Sequence, residues 1–146
     1  MNILFVCTGN TCRSAMAAAI MDKIAEKRDL DIRIESAGLF AADGERASAN
    51  AVKALEKYGI DLSYHRSKPV TAELIGQCDL ILTMTGAHKQ MLEQAAADKV
   101  FTLAGYVGAA GDISDPYGGD LDRYEETAEE LYELLELLAD KLSEEK

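Results

Sequence analysis

Cys7 and Arg13 bracket the segment Cys7-Thr8-Gly9-Asn10-Thr11-Cys12-Arg13-Ser14, which follows the apolar run Asn2 to Val6 and precedes the Ala-rich stretch Ala15 to Ala25. A thiol at one end of a short loop and a guanidinium at the other can enclose a single phosphoryl group. Successive backbone N–H groups in such a turn form an anion nest, and the dipole at a helix N-terminus adds favourable potential for phosphate. Gly9 lets the backbone bend inward, and the planar fork of Arg13 can clamp two phosphoryl oxygens. Beneath the phosphorus, Cys7 would feel the same amides, Arg13 and the dipole, all of which favour thiolate over thiol. The joint pattern therefore marks Cys7 as a nucleophile, although a solitary Cys at a strand end reads as a small buried hydrophobe. The segment matches neither G-x-x-x-x-G-K-[ST] nor a three-glycine dinucleotide fingerprint, so nucleotide binding is disfavoured.

Displacement at phosphorus leaves charge developing on the departing atom, so an acid on the opposite side is useful. Asp115, in Asp115-Pro116-Tyr117-Gly118-Gly119, is the candidate, with Pro116 fixing the turn. By itself Asp115-Pro116 would read as a turn; together with the Cys7 loop it reads as the acid. Asp112, Asp120 and Asp122 lie nearby but outside the motif.

These residues need a scaffold that brings them together. Asn2 to Val6 predicts a strand and Ala15 to Ala25 a helix; Ile32 to Glu35 predicts a second strand stopping at Ser36-Ala37-Gly38, and Ala49 to Tyr58 a second helix. Thr71 begins a short helical piece, Asp79 to Met84 reads as a buried strand, Thr85 to Ala96 as its helix, and Val100 to Leu103 as a fourth strand. Ala104 to Asp120 reads as one long irregular segment, and Leu121 to Leu142 as an amphipathic closing helix with a solvated acidic face. Strands alternating with helices imply an α/β fold: a four-stranded parallel twisted sheet with helices on both faces, one domain over residues 1–146, and the phosphate-binding loop in the crevice after the first strand.

Composition narrows the partners. With 26 Asp+Glu against 15 Lys+Arg, the net charge of -11 opposes nucleic-acid binding, which relies on clustered cations. No stretch approaches the roughly 18–20 apolar residues of a bilayer span, so no membrane is expected. Three cysteines cannot all pair within the chain, and Met1 to Val6 lacks a signal-peptide pattern; a reducing, cytoplasmic setting and a monomer are expected. No metal site is expected, since no convincing His/Cys/Asp cluster stands out, and no cofactor is needed where Arg13 and the backbone supply the charge.

The segment CTGNTCRS matches C-x5-R-[ST], and with the later DPYGG the chain resembles the low-molecular-weight protein tyrosine phosphatase family along essentially its whole length. Ser36-Ala37-Gly38, His65 in Tyr64-His65-Arg66-Ser67, Asp79 to Met84 and the Asp-Pro loop fall in the family's order. The resemblance implies Cys7 as nucleophile, Arg13 as phosphate ligand and amides from Thr8 to Ser14 (Thr8, Gly9, Asn10, Thr11, Cys12, Arg13 and Ser14) as the cradle. It implies Ser14 bonding the thiolate, and a supporting network of Asn10, Ser14, Ser36 and His65. Asp115 would protonate the leaving group and then activate the water that hydrolyses a phosphocysteine. His88 reads as an exposed helix residue and Cys78 as buried core.

Against the family's usual pattern this chain has Thr11 for an Ile, Ala15 for a Pro and Gly118 for a second Tyr. Thr11 and the Gly pair resemble the bacterial branch of protein arginine phosphatases, in which the Thr is associated with choosing phosphoarginine. A polar pocket wall suits a polar leaving group, and Asp115 can pair with a guanidinium in two places, so Thr11 and Asp115 are the expected specificity residues. Ala15 should affect only the rigidity of the helix start. Leu39 and Phe40 could form a pocket rim or enter the core. Phosphorylated proteins are the expected substrates, with phosphotyrosine as the competing reading. Arsenate reduction on the same fold would need a cysteine relay beyond Cys78, which is missing; a binding module could dispense with the nucleophile and acid found here. Cys12 could close a reversible disulfide with Cys7, guarding it from overoxidation, or simply pack under the loop.

Overall fold

The computed structural model describes residues 1–144. Strand β1 spans Asn2–Cys7, β2 Arg33–Gly38, β3 Leu80–Thr83 and β4 Val100–Thr102, and the sheet order is β2-β1-β3-β4 with every pair parallel. The helices are α1 (Arg13–Arg28), α2 (Ala49–Glu56), α3 (Ala72–Gln77), α4 (Gly86–Ala96), α5 (Leu103–Tyr106) and α6 (Leu121–Glu144). None of the described helices is long and apolar enough to cross a membrane.

β1 is central and reads as an uninterrupted apolar run because both of its faces are covered. Ile3 and Phe5 point to the face packed with Met16, Ile20, Leu55, Leu131 and Leu135, whereas Leu4 and Val6 point to the face packed with Leu74, Leu92 and Val100. One face thus carries α1, α2 and α6, the other α3 and α4. The leucines recurring at three and four residues along α6 account for its buried stripe. Cys78 packs in the second cluster, where burial pushes its thiol up.

Several boundaries differ from the pattern read in the sequence. β2 runs on through Ser36, Ala37 and Gly38, which pair with Phe5, Val6 and Cys7. The glycine that ends this turn-like run is demanded by packing: a Cβ on Gly38 would lie 2.6 Å from the Thr8 carbonyl oxygen and 2.9 Å from Asn10 N. Leu103 belongs to α5 rather than to β4, so the segment from Ala104 opens with helix, capped when Thr102 Oγ1 accepts from Gly105 N–H.

The helix starts reveal one asymmetry. Ser48, Thr71, Thr85 and Thr102 cap α2, α3, α4 and α5 with their side chains, and Asp120 Oδ1 accepts from Arg123 N–H at the start of α6. α1 has no side-chain cap, so its first N–H groups are left for another acceptor.

Candidate active site

The loop from Cys7 to Arg13 joins the end of β1 to that uncapped helix, and it floors a pocket of about 320 Å³. Cys7, Thr8, Gly9, Asn10, Thr11, Cys12 and Arg13 line it, together with Phe40, Ala41, Ala42, Glu45, Asp115 and Tyr117. The sequence-predicted nucleophile, phosphate ligand and acid therefore share one cavity, although Asp115 is remote in the chain. Ser14 lies just beneath, fully buried.

Cys7 is buried, with its Sγ 2.8 Å from Ser14 Oγ and 3.3 Å from the Asn10 N–H that donates to it. Asn10 holds the bend. Its φ of 58° is left-handed, a region that Asn tolerates better than most residues, and its side chain is bonded on every side. Nδ2 donates to Ser14 Oγ at 2.8 Å and to Ser36 Oγ at 2.9 Å, while Oδ1 accepts from Lys68 N–H at 3.1 Å. Because Ser14 Oγ accepts from Asn10, its own hydrogen is left for one of two acceptors, Cys7 Sγ at 2.8 Å or the Ala37 carbonyl at 3.5 Å, and the shorter contact favours Cys7. His65 Nε2 donates to the Asn10 carbonyl at 2.5 Å. Burial lowers the His65 pKa, against the raising effect of that bond. The four residues expected as a supporting network, Asn10, Ser14, Ser36 and His65, are thus directly linked.

Arg13 is buried at the pocket floor, where Nη1 donates to the Ile113 carbonyl at 3.0 Å and Nη2 lies 3.5 Å from Asp115 Oδ2. The loop bearing Asp115 is tied to the sheet at its root: Ile113 N–H donates to the Met84 carbonyl at 3.0 Å, and Gly86 N–H to Asp112 Oδ1 at 2.9 Å. Asp115 Oδ1 accepts from Tyr117 N–H at 3.0 Å, an Asx turn around Pro116 that points a half-exposed carboxylate at the cavity.

Phe40 and Tyr117, both largely exposed, form an apolar rim. Leu39, the other candidate rim residue, packs instead against the Leu4 cluster. Cys12 is buried, with Sγ 3.4 Å from Tyr124 OH and 3.5 Å from Ser48 Oγ. Burial and the Cys12 bond push Tyr124 up to about 12. Cys7 and Cys12 are both free thiols.

One expectation is overturned. His88 is buried, 6% exposed, because its position in the first turn of α4 faces the phosphate loop, where Nε2 lies 2.9 Å from Thr8 Oγ1. Sequence reasoning also missed Glu45. It lines the cavity because the 42–45 strap is pinned by Ser67, whose hydroxyl accepts from Glu45 N–H and donates to the Ala42 carbonyl.

Comparison with known proteins places this geometry. The family model described as low molecular weight phosphotyrosine protein phosphatase matches residues 2–146. A protein-arginine-phosphatase of Bacillus subtilis (strain 168) is 47% identical over 150 residues, covering 100% of this chain and 99% of that one. The low-molecular-weight protein-tyrosine-phosphatase PtpB of Staphylococcus haemolyticus (strain JCSC1435) is 40% identical over 141 residues, covering 92% and 95%. Among solved structures, a YwlE arginine phosphatase mutant with a phosphorylated active-site serine superposes with a TM-score of 0.94 at 48% identity, over 98% of this chain and 96% of the other.

Proposed function

The chain belongs to the low-molecular-weight phosphotyrosine protein phosphatase family, and from that premise we propose that it is a protein arginine phosphatase, hydrolysing phosphoarginine in proteins through a phosphocysteine intermediate. The observation that carries the choice of substrate is Thr11, a polar residue in the lining of the Cys7 pocket, which Asp115 also lines. The similarity to protein-arginine-phosphatases supports the same choice.

The reaction runs in two displacements. Cys7 Sγ attacks phosphorus, its charge sustained by the Ser14 hydroxyl and the Asn10 amide. The P–N bond to the substrate guanidine breaks, and the proton the leaving nitrogen needs comes from Asp115. Arg13 and the cradle amides of residues 8–14 hold the equatorial oxygens, where charge builds in the transition state. Asp115, now a carboxylate, faces a guanidinium and pairs with it, a stabilisation that a phenol cannot offer. In the second step water attacks the phosphocysteine, its proton passes to Asp115, and the thiolate leaves as phosphate is released. The backbone and Arg13 supply the positive field, so none of these steps calls on a metal.

Phosphotyrosine is the second reading, favoured by the aromatic rim of Phe40 and Tyr117, on which a phenyl ring could stack. The deciding experiment compares kcat/KM on one peptide sequence carrying phosphoarginine or phosphotyrosine, for the wild type and Thr11→Ile. Preference for phosphoarginine that shifts toward phosphotyrosine in Thr11→Ile is expected. Outright preference of the wild type for phosphotyrosine would overturn the arginine assignment while leaving the Cys7 mechanism in place.

A further inference from the structure

His88 is a buried titratable group beside the phosphate loop for which the displacement mechanism has no use. Its main-chain N–H donates to Thr85 Oγ1, the cap of α4, which fixes the ring at the back of the phosphate loop. Nε2 lies 2.9 Å from Thr8 Oγ1, while Nδ1 is buried with no partner among the described residues. Three charged groups face the ring: Arg13 from α1, and Asp112 and Asp115 from the acid loop. Burial, first, and then the Arg13 charge lower its pKa against the two carboxylates, which keeps the imidazole neutral at neutral pH.

A neutral imidazole carries one N–H, and the two placements are unequal here. A proton on Nδ1 would bury a donor with no acceptor; a proton on Nε2 buries only a bare lone pair, the more tolerable defect. The Nε2–H form therefore prevails, and in it the ring donates to Thr8 Oγ1. A hydroxyl whose oxygen is engaged in this way has its hydrogen left to give. Thr8 lines the phosphoryl pocket, and its main chain is held because its carbonyl accepts from Phe40 N–H at 2.9 Å.

We propose that His88 is a positioning residue whose Nε2–H fixes Thr8 as a donor, so that the Thr8 hydroxyl contacts a phosphoryl oxygen in addition to the backbone amides of the cradle. The arrangement resembles that of Asn10, which donates to Ser14 and leaves the Ser14 hydrogen to point away from it, with Cys7 Sγ at 2.8 Å as the nearer of its two acceptors. The proposal rests on the reading of the loop as a phosphoryl cradle.

The test uses turnover of 4-nitrophenyl phosphate and competitive inhibition by inorganic phosphate. Thr8→Val is expected to weaken phosphate inhibition and lower kcat/KM by about ten- to a hundredfold, the loss of one hydrogen bond to a charged group, and Thr8→Ser, which keeps the hydroxyl, should recover most of that loss. His88→Leu should match Thr8→Val, the double variant should be no worse than either, and His88→Gln, which keeps an N–H donor, should recover part of the loss. Nitrogen NMR should find Nε2 protonated and Nδ1 bare. An unchanged phosphate inhibition constant in Thr8→Val, additive losses in the double variant, or a proton on Nδ1 would overturn the proposal. Should His88→Leu fail to fold, His88→Gln and the assignment of the proton to Nε2 or Nδ1 decide, together with the Thr8→Val and Thr8→Ser pair. A wild type that neither turns over 4-nitrophenyl phosphate nor binds phosphate would instead remove the underlying cradle reading.

Discussion

Asp115 Oδ2 lies 3.5 Å from Nη2 of Arg13, and the same guanidinium is anchored at Nη1 by the Ile113 carbonyl, two residues before Asp115. The proposed acid and the proposed phosphate ligand are thus registered to one another through a short stretch of one loop. Asp115→Ala should lower kcat on a phosphoarginine peptide by about 10²- to 10⁴-fold, the usual contribution of a positioned acid. The loss should be smaller in the first step with 4-nitrophenyl phosphate, whose leaving group needs little proton assistance. Single-turnover kinetics on both substrates checks this; equal losses would argue that Asp115 only orients Arg13.

Asn10 carries two burdens, a left-handed backbone and three side-chain bonds, two of them buried and one partly buried. Asn10→Gly keeps the first and loses the second, so it should destabilise the fold by about 2–4 kcal/mol at roughly 1 kcal/mol per bond. Asn10→Ala should cost about 1 kcal/mol more, because a Cβ disfavours that conformation. Urea denaturation of the two variants separates these contributions, and both should lose most of their turnover as Ser14 and Cys7 lose their alignment.

The two histidines give the stability a pH dependence with a definite sign. Burial is the largest cause lowering both His65 and His88 from the ordinary value of 6.5. The unfolded chain therefore binds more protons than the folded one between that value and the lowered ones. Their contribution is complete above about pH 6.5 and falls as the pH drops through that value toward the folded pKa values. Thermal unfolding between pH 8 and pH 5.5 should show a decline in Tm that shrinks in the His65→Gln/His88→Gln double variant. A decline of the same size in the double variant would assign it to carboxylates.

Cys7 and Cys12 sit in one core cluster and are both reduced. Peroxide should convert them to a Cys7–Cys12 disulfide that dithiothreitol reverses with recovery of activity. Cys12→Ser should instead accumulate sulfinic acid on Cys7 and lose activity irreversibly. Peptide mapping by mass spectrometry reads both products, and sulfinic acid on Cys7 in the treated wild type would exclude the protective role. Cys12→Ser should also shift the titration of Tyr124, whose OH lies 3.4 Å from the sulfur.

What was legible in the sequence was what is local in the chain. The phosphate loop is one contiguous segment between a strand and a helix, so residue types and order alone specify its chemistry. Asp115 was legible only because a Cys loop made an acid necessary. His88 was not, since its partner Thr8 lies 80 positions away and no periodicity in residues 85–96 says which face meets the loop. Glu45 reaches the pocket through bonds to Ser67, 22 positions on, a long-range tether with no local signature. The Ser36-Ala37-Gly38 strand end reads as a stop because small residues favour turns by propensity, whereas here it pairs with β1 and close approach to Thr8 and Asn10 selects Gly38.

Alone among the described helices, α1 begins without a side-chain cap. Conformational stability and ligand affinity are therefore linked at this one helix end. An anion seated there completes the helix as a serine would, and at a hundred times its dissociation constant it adds about 2.7 kcal/mol to the folded state. On the proposed cradle the product phosphate is such an anion, so added phosphate should raise resistance to heat and proteolysis and slow turnover by the same binding event.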